Sequence, residues 1–135
     1  MARSSTDKGL HKLAQEWFKK AQADIDFANL GLRETEHYGE VCFLCQQAAE
    51  KYLKGFLVAN NIAPKKIHST AALITKCASI NREFNELVDQ CKVLDRYYIP
   101  PRYPVPAKIQ YHKQDAREAI ETTESIIALV LRLLK

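Results

Sequence analysis

The chain has 135 residues, 47% hydrophobic and 27% charged, which is ordinary globular composition and enough length for one domain, 1–135, with its core in about 10–134. No apolar run approaches the roughly 20 residues needed to cross a bilayer, and the first 15 residues lack the apolar stretch of a secretory signal, so a cytoplasmic protein with no membrane partner is expected. The formal charge of +4 is small, and the four cysteines, at 42, 45, 77 and 91, are too few and too irregular for a disulfide framework, so they are expected as thiols.

Leu10, Ala14, Trp17, Ala21, Ile25, Ala28 and Leu32 recur at three- and four-residue steps and predict a long amphipathic helix over about 10–34. Asp24 falls within that apolar stripe, where a carboxylate is costly unless paired. Its candidate partners are Arg96, Arg102 and Lys51. The preferred expectation is a site-forming pair with an arginine of the later basic loop; a purely structural ion pair, or a side chain reaching out to the rim, are the alternatives.

After a break at Gly39, a second helix is predicted over about 40–60, ended by Asn60, Asn61 and Pro64. It contains CFLCQQAAEKYLKGFL, whose C-x-x-C spacing raises zinc or dithiol chemistry. The positions 42, 45, 49, 52 and 56 form an a/d ladder, which puts Cys42 and Cys45 on the apolar face. No second C-x-x-C or paired histidine follows to close a zinc site, and no strand precedes the motif as in redox proteins, so the thiols are expected to pack as small hydrophobes, with no metal site. Gln46, Glu50 and Lys54 are four apart, with Gln47 and Lys51 in the next row; Glu50 and Lys54 can pair, and the whole polar set is expected on a solvated face.

Ser69 and its neighbours offer a capping hydroxyl to a short helix over 71–80, and Asn81 precedes a further one with Phe84, Leu87, Val88, Cys91, Leu94 and Tyr98 on one face. Four of the five prolines then fall at 100, 101, 104 and 106, which only a loop accommodates. From Lys113 the helical period returns and runs to the C-terminus. The fold class predicted is all-α, a four- to five-helix up-and-down bundle with a Pro-rich loop before the last helix.

That loop also holds the net charge. Between 96 and 113 lie Arg96, Arg102, Lys108 and Lys113 and no acidic residue, while the remaining 16 basic residues balance 16 acidic ones. With Tyr97, Tyr98, Tyr103, Tyr111 and His112 interleaved, the segment can hold phosphates through its cations and stack a base on a tyrosine. The alternative is that prolines and tyrosines merely fold the loop over the bundle. The ligand-binding candidates are Asp24, Arg96, Arg102, Tyr103 and Lys108.

The whole chain resembles the HEPN family (higher eukaryotes and prokaryotes nucleotide-binding domain), through Trp17 and Asp24, the stretch QQAAEKYLK within the second helix, His68 before the third, and RYP at 102–104. The resemblance implies a helical bundle, nucleotide or nucleic-acid binding, a homodimer, and pairing with a minimal nucleotidyltransferase in a toxin–antitoxin type arrangement. It also implies, for some members, metal-independent ribonuclease activity through Arg-x(4 to 6)-His at a dimer interface. No such spacing occurs here: Arg33 to His37, Arg102 to His112 and Arg3 to His11 all miss it. Arg102 with His112 is the loose equivalent, because an arginine fork can hold a phosphate while a histidine moves protons near neutral pH. The expectation is therefore a binding and partner module without a cofactor. The alternatives are a dimeric ribonuclease toxin with that nonstandard pair and a dimeric scaffold without a ligand. Trp17 and Tyr52 are expected in the core, and His68 is expected to cap the third helix or pack against it.

Overall fold

The computed structural model describes residues 5–99, 104 and 109–134, with the side chains of 5–8 and 10 excepted. The helices in chain order are α1 (Ser5–Glu34), α2 (Tyr38–Ala59), α3 (Thr70–Ala78), a 3-10 segment (Arg82–Leu87), α4 (Val88–Asp95) and α5 (Lys113–Leu133), with no strand among the described residues. The all-α bundle expected from periodicity is the fold observed.

α1 and α2 form an antiparallel pair joined by a short turn. Ala14, Phe18, Ala21, Ile25 and Ala28 give α1 a buried stripe of mostly small residues, so the two backbones approach closely. Closest approach is at Gly55, where a Cβ would collide with the ring of Phe18. Phe18 in turn stacks on Tyr52 at 5.3 Å between ring centroids. α2 ends in a Schellman arrangement: Asn61 adopts the left-handed φ of 64°, the N–H of Ile62 donates to the Leu57 carbonyl at 2.9 Å and that of Asn61 to Val58 at 3.0 Å. α5 lies along α2, where the buried Thr123 hydroxyl donates to the carbonyls of Cys45 and Ala119.

The short helices close one side. Phe84, at the 3-10 segment, meets Phe56 edge-to-face at 4.8 Å. The expected continuous helix after Asn81 is instead a 3-10 turn followed by eight residues of α-helix. Because α4 ends at Asp95, the next turn directs Tyr97 rather than Tyr98 into the core, and Tyr98 stays half-buried.

All four cysteines are buried free thiols, with Cys42 and Cys45 placed as the a/d ladder of α2 led one to expect. Burial pushes Cys42, Cys77 and Cys91 up to about 12 and Cys45 higher still, so none is a thiolate at neutral pH.

Candidate functional site

The polar row of α2 is not solvated. Gln46, Glu50 and Lys54 are all buried, at 0%, 5% and 5% exposure. The expectation of a solvated face fails because the chain after α2 folds back over this row and α1 flanks it. α2 is apolar almost all round, with Val41, Cys42, Cys45, Ala48, Ala49, Tyr52, Leu53, Phe56, Leu57 and Val58 buried. A helix apolar on every side is a helix buried on every side, and that was the overlooked signal.

Each polar group in the row has a partner. Glu50 Oε2 accepts from Lys54 Nζ at 3.2 Å, and Lys54 Nζ lies 5.5 Å from the centre of the Trp17 ring. Trp17 is only partly buried, and its role at the edge of the core is to cover this lysine. Gln46 donates through Nε2 to the backbone carbonyl of His68 at 2.8 Å and accepts through Oε1 from Gln47 Nε2 at 2.7 Å. The buried row thereby fixes the main chain at His68.

His68 is the exposed end of this cluster. Its Nδ1 faces Glu50 Oε1 at 3.4 Å, a long contact, and its side chain is 52% exposed. Its ring stacks on Tyr98 at 5.2 Å with 16° between planes. His68 does not cap α3, since Ser69 does so by accepting from the Ala72 N–H at 3.1 Å.

Asp95 ties the end of α4 to the start of α3. Its carboxylate accepts from the N–H groups of Thr70 at 2.7 Å and Ala71 at 3.1 Å and from the hydroxyls of Ser69 and Thr70 at 2.8 and 2.7 Å. The N-terminus of α3 already holds its anion. The basic segment starts at the next residue, Arg96, two residues before the Tyr98 that stacks on His68.

The sequence-predicted residues are distributed as follows. Among the described residues Asp24 pairs with Lys51, the third of its expected partners, whose Nζ donates to Oδ2 at 2.5 Å, while Arg102, the loop arginine also expected there, lies outside them. The two residues stand at one level of the antiparallel α1–α2 pair, so the ion pair is local and partly buried. Arg96 is exposed and makes no ion pair among the described residues. Arg102, Tyr103 and Lys108 lie outside the described residues. His112 is exposed and precedes α5, its N–H donating to Asp115 Oδ2 at 2.8 Å. Tyr97 is buried and stacks edge-on to Tyr111 at 6.0 Å; burial, with the nearby Cys42, Asp115 and Glu118, raises its hydroxyl to about 12. The residues missed were Glu50, Lys54 and His68 as a unit.

The model of the HEPN domain matches residues 14–133. This chain belongs to the HEPN domain family. The match takes in the buried row, His68, the basic segment and most of all five helices. Among curated proteins this HEPN chain is 26% identical over 144 aligned positions to a Methanocaldococcus jannaschii protein, MJ1304, that carries the provisional name of toxin, with 96% of this chain and 93% of that one covered. Among solved structures it superposes on TT1696 from Thermus thermophilus with a TM-score of 0.76 at 32% identity, covering 88% of this chain and 96% of that one. It superposes on ST0689, described as an archaeal HEPN homologue, with a TM-score of 0.72 at 29% identity, covering 90% and 98%.

Proposed function

We propose that this HEPN chain is the toxin-type member of a pair with a minimal nucleotidyltransferase and that, as a homodimer, it binds nucleotide or RNA at the edge where its basic segment begins. The observation that carries the binding proposal is the His68–Tyr98 stack, in which His68 is half exposed and Tyr98 stands two residues after Arg96, the first cation of the one segment with unbalanced charge. Cations there meet phosphates, and the exposed ring face offers a surface for a base. The toxin-type reading draws on the relative of that name, which the chain matches over nearly its full length.

A labelled single-stranded RNA tests the binding. Wild-type affinity should fall with rising salt, and the double variant Arg96→Ala/Arg102→Ala should flatten that slope and weaken binding by about 1.5–3 kcal/mol, the range for hydrogen bonds to charged groups. Equal slopes for the two proteins would remove the basic segment from the site. The pairing is tested by co-expression with the product of an adjoining nucleotidyltransferase gene, with a stable stoichiometric complex as the expected result.

One observation favours the ribonuclease as a second reading. Nδ1 of His68 faces the buried Glu50 carboxylate, which leaves Nε2 on the exposed edge to exchange a proton. Metal-independent cleavage of RNA that is lost in His68→Ala would support that reading over simple binding.

A further inference from the structure

α1 has a second apolar face. Opposite its buried stripe lie Leu13, Phe27 and Leu30, 48%, 63% and 42% exposed, with Glu16, Lys20 and Ala23 also in solvent. Phe27 is more exposed than any other large hydrophobic residue among those described. Isolated exposed apolar residues are ordinary, but here a projection and a recess share one helix face. The recess is a depression of about 320 Å³ lined by Leu13, Glu16, Trp17 and Lys20. Its walls are the Leu13 side chain, the Trp17 edge and the aliphatic stem of Lys20. Phe27 stands fourteen residues beyond Leu13, roughly 21 Å further along the helix.

We infer that this face receives a second copy of the chain, with the two α1 helices antiparallel and Phe27 of each copy seated in the Leu13–Trp17 depression of the other. This inference rests on the homodimeric form proposed above and assigns its surface. A two-fold interface must be self-complementary, so that residue i meets j wherever j meets i. A projection and a recess on the same face meet that condition, and the axis then passes near Lys20, midway between them. At the axis Lys20 meets Lys20 of the other copy, with the opposite Glu16 about one turn away to offset the like charges. The small Ala23 faces the bulky Trp17 across the axis.

Three measurements on the full chain test this. Sedimentation velocity at micromolar concentration should show a wild-type dimer, and Phe27→Asp and Leu13→Asp should each weaken association at least tenfold while keeping the wild-type helical circular dichroism and a cooperative melt, because both side chains are exposed in the single chain. A mixture of Leu13→Cys and Phe27→Cys proteins should oxidise to a covalent dimer joining positions 13 and 27, faster than either variant alone. The native thiols do not compete, being buried and un-ionised. A monomeric wild type, a dimer indifferent to Phe27→Asp, or cross-linking that favours 27–27 over 13–27 would each overturn the inference. RNA affinity separates it from the binding proposal. A wild-type dimer that binds no RNA would end the binding proposal and leave this interface standing.

Discussion

Two rows of α2 are equally buried and are held by different physics. The a/d row of Cys42, Cys45, Ala49, Tyr52 and Phe56 excludes water by packing, and its members tolerate neighbours of similar shape. The row of Gln46, Glu50 and Lys54 is inside only because each polar group has a named partner. The first row is a gradual resource, in which losing an atom costs in proportion to volume. The second is all-or-none, since removing one member strands the others in a low-dielectric place. It follows that the polar row can position an exposed group such as His68 more tightly than apolar packing would.

The largest expected effect comes from breaking the polar row. Glu50→Ala should lower stability by about 3–5 kcal/mol, because Lys54 is left as an uncompensated buried cation. Replacing both partners at once, Glu50→Leu with Lys54→Met, should cost much less than the sum of the single changes. Thermal or urea unfolding of the four proteins checks the cycle, and additive losses would mean that the two side chains are independent.

Next is Asp95→Ala, which leaves two N–H groups and the Ser69 hydroxyl at the α3 terminus without their acceptor, while the Thr70 hydroxyl keeps the Cys91 carbonyl at 3.0 Å. The expected loss is about 2–3 kcal/mol, with Asp95→Asn retaining part of it.

Apolar burial, of Cys42 in this row and of Cys77 and Cys91 on α3 and α4, should show itself through pH. Cys42, Cys77 and Cys91 are raised from 9.0 to about 12 in the folded chain, so the thiol form is favoured by folding. Their contribution is fully present below pH 9 and is lost as pH rises from 9 towards 12, where the unfolded chain releases protons that the folded one retains. The melting temperature should fall across that window, and Cys42→Ala should make the fall shallower. A flat profile to pH 12 would contradict the buried placement. The smallest effect is expected for Lys51→Met, because the Asp24 pair is partly solvated; under about 1 kcal/mol is expected.

Periodicity made the bundle legible. The stripe of α1, the ladder of α2 and the return of the helical period at Lys113 each depend on local spacing, while most of the expected proline-dense loop lies outside the described residues. The placement of Cys42 and Cys45 followed from the same ladder. What was not legible depends on residues far apart in the chain. Asp24 meets Lys51 because the antiparallel register of α1 and α2 fixes that meeting, and register is not visible in either helix alone. Glu50 and Lys54 look like an ordinary surface pair until His68 and Trp17 cover them. Tyr98 and His68 belong to different segments, brought together by the Asp95 carboxylate at the start of α3, a link that no local motif announces.

The central claim is that the buried Glu50–Lys54 pair holds His68 out as part of a nucleotide or RNA site. The most direct measurement is the affinity of a short labelled single-stranded RNA for the wild type and for His68→Ala. The account predicts binding about tenfold or more weaker in the variant, in the range of one lost base stack, with little change in melting temperature, because the His68 ring is half exposed and its backbone stays tied to Gln46. Equal affinity in two equally folded proteins would contradict it.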